Sequence, residues 1–418
     1  MSIINIKSRA SYLMVLAVLF VLASCNKELE QFPEIATPVY PTGPGIAGAI
    51  AASPNDSLYN RLLIKSGLSA TLNNNANSYT MFIPDNNGMK LFINAISGGL
   101  VPLNAPDAVF SGFITANIPA ATAAGIVSYN TVGLKLPFSS VPTTFPNYPL
   151  PTLIVLDPVQ PFVRMPIFPA RGTAFSYVNN IPVTCVDQAS SNGIIHHVAT
   201  IVAPPTTVLA GLIYADPNLS YFTAGVARAD SGQTGLNKFD SLLKYGVTNM
   251  TVLAPNNAAF QTLIYGTAYG YALSLGAPPA VANAQATGAV ALGPAIFSNP
   301  AFFGLLPAAS VRGILAYHLL ASNATGSYVP IRVFSNNFSS TPASFVKTLV
   351  NGSVGVHPGI MAQATFTGPS VTSLKFTGLG TFPPGGAPFS GAAANAVSWD
   401  KHAVNGVLHI IDKVLLPQ

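Results

Sequence analysis

The side chains best suited to chemistry in this 418-residue chain are six histidines, ten aspartates and two cysteines, because its only glutamates are residues 28, 30 and 34. A zinc centre takes three or four ligands at about 2.0–2.3 Å. It would require His402, His409 and a carboxylate such as Asp400 or Asp412 to converge. His196 and His197 are strand neighbours that point to opposite faces, so they cannot share one ion. His409 shares a strand face with Val407 and Ile411, and a histidine between β-branched residues reads as a hydrogen-bonded core group; His196 reads the same way. Gly352-Ser353-Val354-Gly355 has Asn351 where a nucleophile elbow would begin with glycine. No His-Glu-x-x-His, phosphate-binding loop or dinucleotide loop occurs. A glycosidase would need two opposed carboxylates. Past residue 34 only aspartates could supply them, and Asp56, Asp85 and Asp216 read as helix-start or turn residues. The expectation is a non-enzyme with no catalytic residue, no cofactor and no metal.

Cys25 has a different chemistry. Lys7 and Arg9 precede eleven apolar residues, Tyr12 to Leu22, and Leu22-Ala23-Ser24-Cys25 closes the segment. This order describes a secretory signal peptide over residues 1–24. The four residues Leu22 to Cys25 resemble a bacterial lipobox, which implies cleavage before Cys25 and acylation of that cysteine. Eleven apolar residues are too few to span a bilayer. Residues 25–52 read as a tether carrying Glu28, Glu30, Glu34 and several prolines; an acidic stretch after the cysteine resembles the surface-export signal of Bacteroidota lipoproteins. The expected location is the cell outer membrane, lipid-anchored and facing the medium. Losing Lys7 and Arg9 leaves 16 basic residues against 13 acidic ones, and the cations are scattered singly, unlike a nucleic-acid footprint. With charged residues at 7% and apolar residues at 50%, charge-driven disorder is excluded. Cys185 is then the remaining thiol, expected as a small buried hydrophobe.

The elements that would position these residues occur twice. Thr80-Met81-Phe82-Ile83-Pro84-Asp85-Asn86 matches Thr251-Val252-Leu253-Ala254-Pro255-Asn256-Asn257 at an offset of 171. Each reads as a buried strand stopped by proline and followed by a capped helix. Asn192-Gly193-Ile194-Ile195-His196 matches Asn405-Gly406-Val407-Leu408-His409 at an offset of 213. Asn-Gly predicts a type I′ hairpin with two left-handed residues. The second copy is 42 residues longer, and a segment without charge from about 266 to 307 is read as its insertion. Between the paired motifs lies Tyr317-His318, with Asn117 as the expected counterpart of the histidine in copy one. The fold class is α+β.

These motifs in this order resemble the fasciclin (FAS1) domain: its strand-Pro-x-Asn signature, its central Tyr-His pair and its closing Asn-Gly-x-x-His hairpin. The resemblance implies two tandem domains, 53–204 and 205–418, each an antiparallel β wedge or sandwich flanked by several helices. Thr80, Pro84, Asn86, Asn192, Gly193 and His196 in copy one, and Thr251, Pro255, Asn257, Asn405, Gly406 and His409 in copy two, are then fold-signature residues. It further implies an extracellular or lipid-anchored protein used for adhesion or matrix contact; with the missing catalytic motifs, the expectation is a non-catalytic surface lipoprotein with an extracellular protein or glycan partner. Tyr317 and His318 are the expected contact residues. The alternative is a glycan-binding lipoprotein serving nutrient uptake, with Trp399, the only tryptophan, as its aromatic platform.

Overall fold

The run Tyr79–Pro84 is apolar throughout apart from one threonine, and all six residues are buried, as expected of a strand covered on both faces. In a computed structural model describing residues 42–322, 329–340, 344–381 and 387–418, this strand is β1 of the first of two lobes that together form one compact unit from Thr42 onward. Cys25 and the signal segment lie outside the described residues. Lobe one contains α1 (Ile46–Ala52), α2 (Ser57–Ser66), α3 (Ser69–Leu72), α4 (Asn86–Ile96), α5 (Asp107–Asn117) and α6 (Ala120–Tyr129). Its remaining strands are β2 (Thr131–Val132), β3 (Leu150–Val155), β4 (Arg164–Ile167), β5 (Pro169–Arg171), β6 (Ser176–Val178), β7 (Ile181–Ser190) and β8 (Gly193–Val198). Lobe two repeats the order with α7 (Leu209–Tyr214), α8 (Ser220–Ala229), α9 (Phe239–Lys244), β9 (Met250–Pro255), α10 (Asn257–Ser274), α11 (Pro279–Ala291) and α12 (Ala308–Tyr317). There follow β10 (Leu319–Ser322), β11 (Val329–Pro330), β12 (Ser344–Thr348), β13 (Ile360–Thr367), β14 (Ser370–Thr377), β15 (Ala394–Ala403) and β16 (Gly406–Ile411). Among the described residues no single helix is long and apolar enough to cross a membrane.

Each sheet is antiparallel except at its centre, where the first and last strands of the lobe run parallel: β1 with β8 and β9 with β16. A purely antiparallel wedge is thereby corrected, because the rest of the lobe forms one long crossover between the two strands. In lobe two β9 also pairs with β10, so seven strands close into a barrel. In lobe one β4 and β5 are separated by Phe168 alone; its N–H donates to the side chain of Asn179, at 3.0 Å, where the ladder breaks. Strand alternation divides each lobe in two. Met81 and Ile83 face a helical core with Leu62, Ile93, Phe110 and Ile126, while Phe82 faces a second core on the other side of the sheet with Tyr129, Leu150 and Ile167. Burying a side chain such as Phe82 contributes roughly 3 kcal/mol.

Four sequence expectations change here. First, α1 lies inside the proposed tether, yet Ile46 and Ile50 are fully buried in the helical core, so lobe one begins before residue 53. Second, none of Asn192, Gly193, Asn405 and Gly406 is left-handed. The glycines are needed for close approach, since a Cβ on Gly193 would overlap the Tyr79 carbonyl and one on Gly406 the Met250 carbonyl of the adjacent parallel strand. Third, the extra 42 residues do not form one insertion. Tyr129 and Tyr317, each closing the third helix after its lobe's first strand, differ by 188. Thus 17 of the extra residues lie before the tyrosine and 25 after it. The former lengthen α4's counterpart from 11 to 18 residues and extend its return, α10 and α11 being joined through the buried alanines 268, 272, 282 and 286. The latter lengthen strands, as in β13 and β14, of 8 residues each. Fourth, Cys185 is exposed on β7.

Candidate functional site

The signature residues tie strands and loops of each lobe together with matching hydrogen bonds. Thr80 Oγ1 donates to the Leu134 carbonyl and accepts from Leu136 N–H, at 2.7 and 2.9 Å. Thr251 does the same with Ile331 and Val333, at 2.6 and 2.8 Å. The carbonyls of Leu136 and Val333 each also accept from a buried histidine, His196 and His409, both through Nε2 at 3.0 Å. Because a carbonyl only accepts, Nε2 carries the proton. Nδ1 then accepts a backbone N–H, from Asp187 at 3.1 Å and from Asp400 at 3.3 Å. Both aspartates are left-handed, with φ of 62° and 56°, at two-against-one bulges where the strand gives its extra residue to the histidine. Burial pushes both imidazoles below their ordinary range, only partly opposed by a neighbouring carboxylate and a carbonyl. Neutral and with both nitrogens occupied, these rings are structural.

The asparagines tie helices to strands. Asp85 and Asn256 cap α4 and α10 by accepting from Gly88 N and Ala259 N, both at 2.9 Å. Asn86 and Asn257, which follow Pro84 and Pro255, turn away and accept from Leu58 N and Tyr221 N at the starts of α2 and α8. Asn192 accepts from Ile46 N, at 2.7 Å, and donates to Leu72 and Asn74. Asn405 accepts from Leu209 N, at 2.8 Å, and donates to Leu243 and Tyr245.

The expected contact pair is not on the surface. Tyr317 and His318 are both fully buried, which corrects their assignment to partner contact. Tyr317 Oη donates to the Gly359 carbonyl, at 2.6 Å, and accepts from Leu379 N–H. His318 Nδ1 donates to the Ile314 carbonyl, at 2.8 Å, and its Nε2 accepts from Leu415 N–H, at 3.0 Å. Burial pulls its pKa down to about 4 despite the carbonyl. The counterpart in lobe one is Tyr129-Asn130 rather than Asn117: Phe82 N–H donates to the Asn130 carbonyl as Leu253 N–H does to that of His318, both at 2.9 Å. Asn130 Nδ2 donates to Ile126 and Val202, both at 2.9 Å. The shared helical tyrosine was the available signal, obscured by the longer α10 and α11. Trp399 is the first bulge residue opposite His409 and lies half-buried against the barrel core.

Among the described residues no three His, Cys, Asp or Glu side chains are grouped to hold a metal ion. Lobe two carries a groove of about 530 Å³ lined by Leu236, Phe239, Leu242, Arg312, Leu349 and Val354. The Arg312 guanidinium lies 4.3 Å from the Phe239 ring centre and donates to the Asn237 carbonyl at 2.7 Å. Its Nη1 is buried without a hydrogen bond, 3.6 Å from Asp230. The groove's lining is mainly apolar, with the arginine held against Phe239 and Asp230.

The sequence matches no known family and no curated protein. Among solved structures, the chain is similar to a FAS1 domain pair from the insect cell adhesion molecule fasciclin I, at 13% identity and a TM-score of 0.32, over 86% of this chain and 95% of that one.

Proposed function

We propose that this chain is a non-catalytic lipoprotein, anchored through Cys25 to the outer membrane and displayed toward the medium, in which two FAS1-like lobes act in adhesion or scaffold contact. The observation that carries the reading is the repetition, in both lobes, of a hydrogen-bonded threonine, histidine and two asparagines at corresponding places, beside a close-packed glycine. The set belongs to the resemblance seen in the sequence, and it directs these groups to fold maintenance. The secretory segment before Cys25 supports export and anchoring. Low charge favours recognition through shape and hydrogen bonds over long-range steering.

Metabolic labelling with palmitate should mark the wild-type chain and not Cys25→Ala, and protease added to intact cells should remove the lobes. Beads coated with the acylated protein should bind matrix proteins with little change between low and physiological salt. Absence of label, full protection on intact cells or a steep salt dependence would each refute the corresponding part. Saturable binding to immobilised glycans without binding to any matrix protein would replace the adhesion reading with glycan capture.

A further inference from the structure

One cation is buried where the two lobes meet. Arg332 lies in the segment held by Thr251 and His409, at the position that Lys135 occupies in lobe one. Lys135 is exposed, whereas Arg332 is only 2% exposed. The difference comes from the opposite lobe, whose Phe168 ring lies 4.6 Å from the guanidinium carbon and packs with Phe334 and Val407 in an apolar contact across the interface. Asn147 of lobe one donates to the Arg332 carbonyl, at 3.0 Å, and Val404 of lobe two packs against the core of lobe one that holds Phe82 and Tyr129.

Among the described residues this guanidinium forms no ion pair. It donates to the Val404 carbonyl at 2.9 Å and, through Nη1, to Nε2 of His402 at 2.8 Å. His402 packs between Phe334 of its own lobe and Tyr129 of lobe one, at ring distances of 5.3 and 6.3 Å. The other ionisable groups around it do not neutralise the pair. Asp400 is committed to Ser335 N–H and Oγ, Lys401 faces Asp216 at 3.5 Å, and Tyr129, pushed up to about 12 by burial, stays neutral.

We propose that the face between the lobes is a proton-operated joint: acid parts the lobes because His402 can accept a proton only when it is drawn away from Arg332 into water. In the closed state a proton on Nε2 would remove the acceptor of the arginine and set two cations in contact, the guanidinium buried and the imidazole partly so, which is costly without a counter-charge. Burial, and after it the arginine charge, hold the closed imidazole well below its ordinary range. In the parted state it titrates as an ordinary histidine near 6.5. Linkage then raises the parted population about 30-fold between pH 7.5 and pH 5.0.

The test is thiol trapping in the full-length chain. Phe168→Cys places a probe against lobe two; it removes the ring from the Arg332 guanidinium but leaves the Arg332–His402 hydrogen bond, so the reading is the pH dependence of labelling within this background, and the exposed Cys185 in the same chain corrects for thiol chemistry at each pH. Val252→Cys, in the core of β9, labels only on global unfolding. The rate ratio of the 168 thiol to Cys185 should rise about 30-fold from pH 7.5 to 5.0, ahead of the Val252→Cys probe. Adding His402→Gln, which retains an acceptor for the arginine but cannot titrate, should hold the rise below about 3-fold. A flat ratio in Phe168→Cys, an equal rise with His402→Gln, or Val252→Cys keeping pace at pH 5.0 would each overturn the joint. If the His402→Gln chain does not fold, the comparison between the 168 and 252 probes still decides.

Discussion

Replacing His318 by asparagine, the residue lobe one uses at the same place, tests whether buried imidazoles set the acid limit of this fold. His318 is locked neutral: its proton lies on Nδ1 toward Ile314, and its free nitrogen takes the Leu415 N–H. Its folded pKa, about 4, lies below the unfolded value of 6.5. Below pH 6.5 the unfolded chain therefore binds more protons than the native one. The histidine's contribution is complete above 6.5 and is lost as the pH falls. Between pH 7.5 and pH 5.5 the unfolded ring goes from about one-tenth to about ten-elevenths protonated while the native ring stays neutral, a loss of about 1.3 kcal/mol. His196, His402 and His409 have the same sign, so the wild-type loss is larger still. His318→Asn retains a donor for the Ile314 carbonyl and can turn its amide oxygen toward Leu415. A constant cost of roughly 1 kcal/mol is expected from the imperfect fit, with the pH slope reduced by about 1.3 kcal/mol over the same interval. Urea unfolding followed by Trp399 fluorescence reads this directly, because the only tryptophan lies in lobe two. Parallel pH profiles for wild type and variant would refute the argument.

Two further predictions concern residues in which the lobes differ or agree. Asp56, 1% exposed, pairs with His197 at 3.0 Å, where lobe two has the buried apolar pair Leu219 and Ile410. Asp56→Ala should cost roughly 3 kcal/mol, whereas Asp56→Leu with His197→Ile should be neutral or stabilising within about 1 kcal/mol, by thermal and urea denaturation. A double variant as damaged as the single one would show that the pair does more than fill space. Gly406→Ala should cost at least about 3 kcal/mol or abolish folding, because its Cβ would overlap the Met250 carbonyl. Gly313→Ala, in α12 with open space around it, should stabilise by about 0.5–1 kcal/mol. Similar unfolding midpoints for the two variants would contradict the close-approach account of the hairpin glycine.

What was legible in the sequence was whatever depends on a few residues at fixed spacing. Strand β1, its proline stop and the capped helix behind it all depend on neighbours within about ten positions, so Thr80 to Asn86 and Thr251 to Asn257 declared themselves. The Asn-Gly pairs were visible for the same reason, yet their local rule misled. Turn statistics assign that dipeptide to left-handed turns; here its geometry is set by a parallel strand more than 100 residues away, against which only glycine fits. The counterpart of His318 was hidden because α10 and α11 stretch the spacing before it, while its hydrogen-bonding role passed to a different side chain, Asn130.

Arg332 shows where sequence reasoning stops for a physical reason. In lobe one the corresponding lysine is exposed, and nothing in residues 329–334 announces a different fate. Burial is imposed by Phe168 and Asn147 from the other lobe, a contact neither segment encodes alone. The same fact separates the two roles of the repeat. The duplicated threonine, histidine, asparagine and glycine positions build each lobe from within. Arg332 for Lys135 and His402 for Ala189, which differ between corresponding positions, are among the residues that lobe two presents to lobe one. A device that depends on the two copies being together should therefore be sought among positions where the copies diverge, and the interface cation with its histidine is such a place.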